Sequence, residues 1–317
     1  LQSIIHVEKL TKRYRKSEKL AVNNISFDVL PGEFFAFLGP NGAGKTTTIS
    51  ILTTTLAKTS GDITIAGGDI DSQAKEVRQN IGIIFQNPSL DLNLTAEENI
   101  RLHVNLYGIY AYKPLYRLMP QEYKRQIMEL AEFLDIREDL FKPLRTFSGG
   151  MKRKLEIVRG LMHKPKILFL DEPTQGLDAV SRRDLWDYLR KVNKNQKTTI
   201  FLTTHYIEEA EYADRICIVN HGQIIFLGTP TEMKNRLIEK YLLLDADNRD
   251  ALRSQLEPFK PGITEDGKFK VHFEQQTPQQ ILSQIKTPLS LMQLHTPTLE
   301  EAYMNLVENK NEEVPVS

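Results

Sequence analysis

"FFAFLGPNGAGKTTTISIL", residues 34–52, runs an apolar strand into a glycine-rich turn and then a helix. It fits G-x-x-x-x-G-K-[ST] through Gly39, Gly44, Lys45 and Thr46, with the strand before and the helix after that give this pattern meaning. The helix is expected from about Gly44 to Leu56. Within the loop, Gly39, Pro40, Asn41, Gly42, Ala43 and Gly44 let backbone N–H groups curl around phosphate oxygens, and the helix dipole adds positive potential. Lys45 then brings a full charge to the β and γ phosphates, Thr46 can ligate Mg2+, and Thr47 continues the helix start. A turn of this kind predicts an α/β fold with its ligand at the C-terminal ends of parallel strands.

Working outward, the 317 residues are 40% hydrophobic, enough for one large core and a second small one. Lys plus Arg and Asp plus Glu both number 41, so no overall basic field exists to hold nucleic acid, and none is expected as a partner. The one cysteine, Cys217, has no intramolecular partner, and no apolar leader opens the sequence, which points to the cytosol. The longest apolar runs, such as "ILFL" at 167–170, fall far short of the roughly 20 residues that cross a bilayer.

Residues 4–38 read as strands, "IIHVEKL", "ISFDVL" and "FFAFLG", and "GDITIAG" and "IGIIF" continue the pattern. From about 95 to 162 the periodicity turns helical: in "QEYKRQIMELAEFL", Ile127, Leu130, Ala131 and Leu134 recur three and four apart. After it come the buried strand "KILFL", the helix "SRRDLWDYLRKV", the strand "TTIFLTT" and the hairpin "RICIVNHGQIIFLG". Alternating strand and helix predicts a parallel sheet. Beyond residues 228–230 the character changes, and "KYLLLDA", "KFKVHFE" and "LSLMQLH" alternate with short helices in a small α+β domain over 241–310. The terminal "NEEVPVS" reads as a frayed tail.

More polar groups belong to the same expected sheet edge. Asp171 and Glu172 end the strand "ILFLD", where two adjacent carboxylates are costly unless used. Asp171 suits a Mg2+ shell, and Glu172 suits polarising a water for attack on a γ phosphate. Alone, the pair reads equally well as an ordinary start to a helix before Pro173. His205 follows "TIFLTT" and Gln86 follows "IGIIF", both at strand ends. Tyr14, on a strand exit, is either a stacking platform for adenine or a core aromatic. A second phosphate grip stands at "TFSGGMKRKLEIVRG", residues 146–160, where Ser148, Gly149 and Gly150 open a basic helix. Read by itself, Ser148 is as well an N-cap, and Lys152, Arg153, Lys154 and Arg159 a solvated face.

Taken in order, these motifs resemble the ATP-binding subunit of an ABC transporter over residues 4 to about 235. The resemblance implies a P-loop NTPase fold (ABC ATPase) with antiparallel β and helical subdomains, followed by the small α+β domain in a regulatory or dimerisation role. It makes Tyr14 the adenine-stacking aromatic, residues 39–47 the Walker A loop binding ATP, and Gln86 the Q-loop residue, catalytic and on Mg2+. "FSGGM" becomes the signature, in which Ser148, Gly149 and Gly150 contact the nucleotide of a second ATPase subunit. Phe147 and Met151 stand where the family has Leu and Gln. "ILFLDE" is the Walker B strand with Glu172 catalytic, "GLD" at 176–178 the D-loop, and His205 the switch histidine. The expected function is ATP hydrolysis by a homodimer that drives a separate transmembrane permease from the cytoplasmic face. "EPTQGLD", "RRDLWDYL" and "TLEEAYMNL" are similar to the drug- and antibiotic-exporting subfamily. The competing reading is a soluble ABC ATPase on DNA or ribosomes, whose members usually carry long coiled coils or two cassettes.

Overall fold

The structure is a computed structural model describing residues 2–15, 17–86, 89–237, 240–273, 277–296 and 298–311. The expected frayed tail lies almost wholly outside them. The chain divides into two compact units, residues 1–229 and 230–317. In the first, β1 (Ile5–Arg13), β2 (Leu20–Val29), β3 (Phe34–Leu38), α1 (Lys45–Leu52), β4 (Ser60–Ile65), β5 (Gly68–Asp69), α2 (Ala74–Asn80) and β6 (Ile81–Ile84) lead into a helical region. That region holds α3 (Ala96–Leu106), α4 (Gln121–Phe133) and α5 (Gly149–Leu161). β7 (Ile167–Asp171), α6 (Ala179–Gln196), β8 (Thr199–Thr204), α7 (Ile207–Ala210), β9 (Arg215–Asn220) and β10 (Gln223–Gly228) complete the unit.

Two sheets form. The antiparallel one has the order β2-β1-β4-β5, and the central one β10-β9-β3-β8-β7-β6. In the central sheet β6, β7, β8, β3 and β9 run parallel, and only β10 is antiparallel. Because a parallel sheet is covered on both faces, its inner strands are continuous apolar runs, and every residue of β3, β7 and β8 is buried. The two sheets share one core. In it Phe201 of β8 packs against Phe27 of β2, Phe35 and Phe37 of β3, and Phe169 of β7, with ring centroids 5.3–6.1 Å apart.

α1 ends at Leu52, short of the expected Leu56. Thr53 bonds back to the Ile49 carbonyl through its hydroxyl, and Thr54 turns to φ 59, so the threonine run unwinds the helix. α3 starts on a capping box between Thr95 and Glu98. The buried Glu97 carboxylate accepts from Arg101 Nε at 3.0 Å and Tyr123 OH at 2.9 Å, fastening α3 to α4.

The second unit begins with α8 (Pro230–Leu237), which packs with the terminal α11 (Leu299–Asn311). Between them lie β11 (Tyr241–Asp245), α9 (Arg249–Leu256), β12 (Gly262–Ile263), β13 (Phe269–His272), α10 (Pro278–Leu282) and β14 (Leu291–His295). The four strands make an antiparallel sheet of order β12-β13-β11-β14. Leu242, Leu244, Phe269 and Val271 fill one face against Leu252, Leu256 and Ile281.

Candidate functional site

Strand register gathers the site. Leu38 pairs with Thr204, Asp171 with Thr203, and Ile84 with Leu170, so β3, β8, β7 and β6 end side by side. The groups that follow these strand ends therefore converge. After β3, Gly44 takes φ 107, and a Cβ there would lie 2.5 Å from the Ala21 carbonyl, so the loop needs glycine both for conformation and for space. A Cβ on Gly39 would collide with the Val219 carbonyl, whereas one on Gly42 would meet nothing within 4 Å. Ala43 is pinned by its N–H to the Pro40 carbonyl and by its carbonyl to Gly222 N–H, while Asn41 stays exposed.

Lys45 is buried. Its Nζ donates to the Gly39 carbonyl at 2.8 Å and the Pro40 carbonyl at 3.2 Å, and lies 3.3 Å from Glu172 Oε1. The other carboxylate oxygen, Oε2, stands 3.2 Å from His205 Nδ1, in ion-pair range though not aligned as a hydrogen bond. The same oxygen accepts a long bond, 3.4 Å, from Gln86 Nε2, which also donates to Gln175 Oε1 at 2.6 Å. Glu172 itself takes φ 45, a left-handed conformation that costs a non-glycine residue roughly 1–2 kcal/mol. Its N–H is held by the carbonyl and hydroxyl of Thr203. Asp171 accepts from Thr203 Oγ1 at 2.5 Å, and burial pushes its carboxyl above the ordinary range against that bond.

The remaining expected residues take definite places. Tyr14 is half-exposed just past β1, with its hydroxyl 3.2 Å from Thr47 Oγ1 and Lys12 over its ring, so it stands beside the loop and outside the core. Thr46 is exposed at the start of α1. Ser148 caps α5 by accepting from Met151 N–H. A Cβ on Gly150 would press on Ser181 of α6, with Oγ at 2.7 Å, but a Cβ on Gly149 would meet nothing within 4 Å. Neither crowding nor a left-handed φ asks for glycine at 149. The hydrogen bonds given for Ser148 stay within its own helix, from Met151 N–H to its hydroxyl and from Lys152 N–H to its carbonyl.

Some residues of this neighbourhood carry little signal in sequence. Arg153 and Arg159 are buried, so the face of α5 that reads as solvated is in part an inner surface. Glu209, buried on α7, accepts from Thr174 Oγ1 and, at 2.5 Å, from Thr204 Oγ1, joining the segment after Glu172 to the residue before His205. Burial raises its carboxyl as well.

The family model described as "ABC transporter" matches residues 22–175. The chain is 39% identical over 235 residues, 74% of its length and 72% of the relative's, to the linearmycin resistance ATP-binding protein LnrL of Bacillus subtilis. It is 34% identical over 309 residues, 95% of its length and 96% of the relative's, to the Nod factor export ATP-binding protein I of Burkholderia pseudomallei. Among solved structures, cbiO1 of Clostridium perfringens, part of the ABC transporter complex cbiONQ, aligns with TM-score 0.65 and 28% identity over 74% of this chain and 92% of that one. A dimeric ATP-binding cassette in a post-hydrolysis state, bound to ADP and Pi, aligns with TM-score 0.62 and 25% identity over 71% and 98%. With the glycine-rich loop, the paired carboxylates and the sheet order all in place, the chain belongs to the ABC transporter ATP-binding proteins and is an ATPase.

Proposed function

We propose that this chain is the ATP-hydrolysing subunit of an exporter, working as a homodimer on the cytoplasmic face of a membrane and driving a separate permease. One observation carries the catalytic part: the Glu172 carboxylate is held at the joint strand ends, 3.3 Å from Lys45 Nζ and 3.2 Å from His205 Nδ1. In this reading the loop of residues 39–47 and Lys45 hold the phosphates, Tyr14 stacks on adenine, and Glu172 takes the proton of the attacking water. His205 and Gln86, both in reach of Glu172, orient that water and the γ phosphate. Thr46, Gln86 and Asp171 offer oxygen donors, which suit Mg2+, a hard cation that keeps waters and substrate phosphates in its shell. Among the described residues no cluster of three or more His, Cys, Asp or Glu side chains builds an all-protein metal cage, and a Mg2+ shared with a nucleotide needs none. Bound there, Mg2+ would neutralise phosphate charge.

The open space at Gly149 supports the signature acting in trans, since the glycine is explained by a group arriving from outside the chain. Both relatives cited above are named for resistance or export, and the Nod factor export protein matches across the second unit too, which favours export. For residues 241–310 we propose a regulatory or dimerisation role. No helix among the described residues is long and apolar enough to cross a membrane. The helical region leaves several large apolar side chains exposed, Leu106 at 83% and Tyr112, Leu115, Leu118 and Phe141 besides, and these suit contact with a permease partner.

Complementation tests the shared site. Lys45→Ala spoils the loop side and Gly149→Asp the signature side, so each alone is inactive. A mixed dimer regains one site of two, and random pairing makes half the dimers mixed, giving about a quarter of wild-type turnover for independent sites. No recovery after crosslinking has shown subunit exchange would refute the trans arrangement.

A further inference from the structure

Of the two buried arginines on α5, Arg153 reaches the strand ends at which Glu172 and Gln86 stand. Arg153 is 5% exposed and sits on α5, the helix that Ser148, Gly149 and Gly150 open. Its guanidinium donates to three backbone carbonyls outside its own helix: Phe85 through Nη1 at 2.6 Å, Pro173 through Nε at 2.8 Å, and Glu172 through Nη2 at 3.3 Å. Phe85 is the residue before Gln86. Glu172 is the strained residue at φ 45. A planar fork of five donors can serve three acceptors at once, and no other side chain matches that geometry.

The remainder of the helix face reinforces this hold. Glu156 pairs with Arg153 Nη1 at 2.9 Å and accepts from Ser89 N–H, while Arg159 donates to the Ser89 carbonyl and hydroxyl, each at 2.7 Å. Arg153 grips the chain before Gln86, and Glu156 with Arg159 grips it at Ser89. An ion pair as deeply buried as Arg153 and Glu156 contributes little net stability, so its value lies in the geometry it fixes.

We propose that Arg153 is a positioning residue that locks the signature end of α5 to Glu172 and to the Gln86 loop of the same chain. This rests on the trans reading above. If the signature of one chain serves its partner's nucleotide while Glu172 and Gln86 serve its own, then Arg153 joins the two nucleotide sites through a single side chain. Displacement of the signature at one site pulls on the Glu172 carbonyl at the other.

Full-length chains in the complementation assay test it. The recovered site takes its loop, Glu172 and Gln86 from the Gly149→Asp chain and its signature from the Lys45→Ala chain. Arg153→Gln is added to one chain or the other, and kcat and KM for ATP are measured. On the Gly149→Asp chain, kcat is expected to fall at least ~fivefold at unchanged KM, because Lys45 still grips phosphate while Glu172 is misplaced. On the Lys45→Ala chain, KM is expected to rise at least ~threefold, because the partner's nucleotide loses part of its clamp. An effect in one placement only, or in neither, overturns the proposal. So does a fall in kcat at constant KM in both placements, the mark of chains that failed to fold. Arg153→Lys keeps the charge but reaches one carbonyl, so wild-type kinetics there would overturn the three-carbonyl fork. If the parental pair recovers no activity at all, the trans reading falls, and this proposal with it.

Discussion

Gly149→Ala and Gly150→Ala are expected to separate stability from function at adjacent residues. Both positions lie in the first turn of α5, where alanine is the better helix former by up to ~1 kcal/mol. At 149 the new methyl meets nothing within 4 Å, so the gain is unopposed and the nucleotide-free chain melts ~2–4 °C higher for a unit of this size. At 150 the methyl lies 2.7 Å from Ser181 Oγ and 3.2 Å from its Cβ. Ser181 cannot swing away freely, because its hydroxyl is held 2.7 Å from Asp178 Oδ2. Overpacking of this kind costs ~1–3 kcal/mol, so Gly150→Ala is destabilised or at best neutral, and Ser181→Gly should restore it. Turnover follows a different rule. If a partner's phosphate seats on Gly149, the methyl pushes it off the backbone N–H groups, and Gly149→Ala loses ~10–100-fold in kcat despite its higher melting temperature. Circular dichroism melts without nucleotide and steady-state ATP turnover read the two effects separately. A Gly149→Ala protein that is both more stable and fully active would show that the open space is no phosphate seat. A lower melting temperature at 149 would refute the steric reasoning itself.

Other perturbations act on the strand ends. Glu172→Gln should keep nucleotide affinity while turnover falls ~10²–10⁴-fold, since an amide cannot accept the water's proton; unchanged turnover removes Glu172 from that role. For Asp171, burial raises the folded-state pKa above the ordinary 3.8, so its contribution to stability is full below that value and is lost as pH rises through the raised one. Asp171→Asn cannot ionise, so it should melt higher than the parent at neutral pH, lose that advantage in acid, and hydrolyse no ATP. An advantage that stays constant with pH would contradict the linkage. Residues 1–229 alone should bind ATP with the affinity of the whole chain, because every proposed nucleotide residue precedes 206 and that unit holds its own core. A folded fragment with weakened binding, measured by fluorescent-nucleotide titration, would show that the units depend on each other.

What could be read from sequence follows from how far apart its causes lie. Lys45, Gln86, Asp171, Glu172 and His205 were legible because each follows an apolar run, and parallel register alone then brings the ends together, as the Leu38–Thr204 and Asp171–Thr203 pairings do. α1 ends four residues before its expected Leu56, since apolar spacing says nothing of a threonine hydroxyl returning to Ile49. α8 falls with the second unit, and the reason is its packing on α11 more than sixty residues later, which no local pattern records. The buried arginines of α5 are the sharpest case. In sequence, Arg153 and Arg159 are two of several cations on a helix, and charge argues for solvent. Their burial becomes possible only when carbonyls from Phe85, Glu172 and Pro173 and the backbone of Ser89 arrive to satisfy the donors. Those acceptors belong to loops whose course is set by the sheet. A side chain whose environment consists of other segments' backbone leaves almost no trace in composition or periodicity. The spacing of Arg153, Glu156 and Arg159 at successive steps of three is the one local hint, since it puts cation, anion and cation on a single helix face.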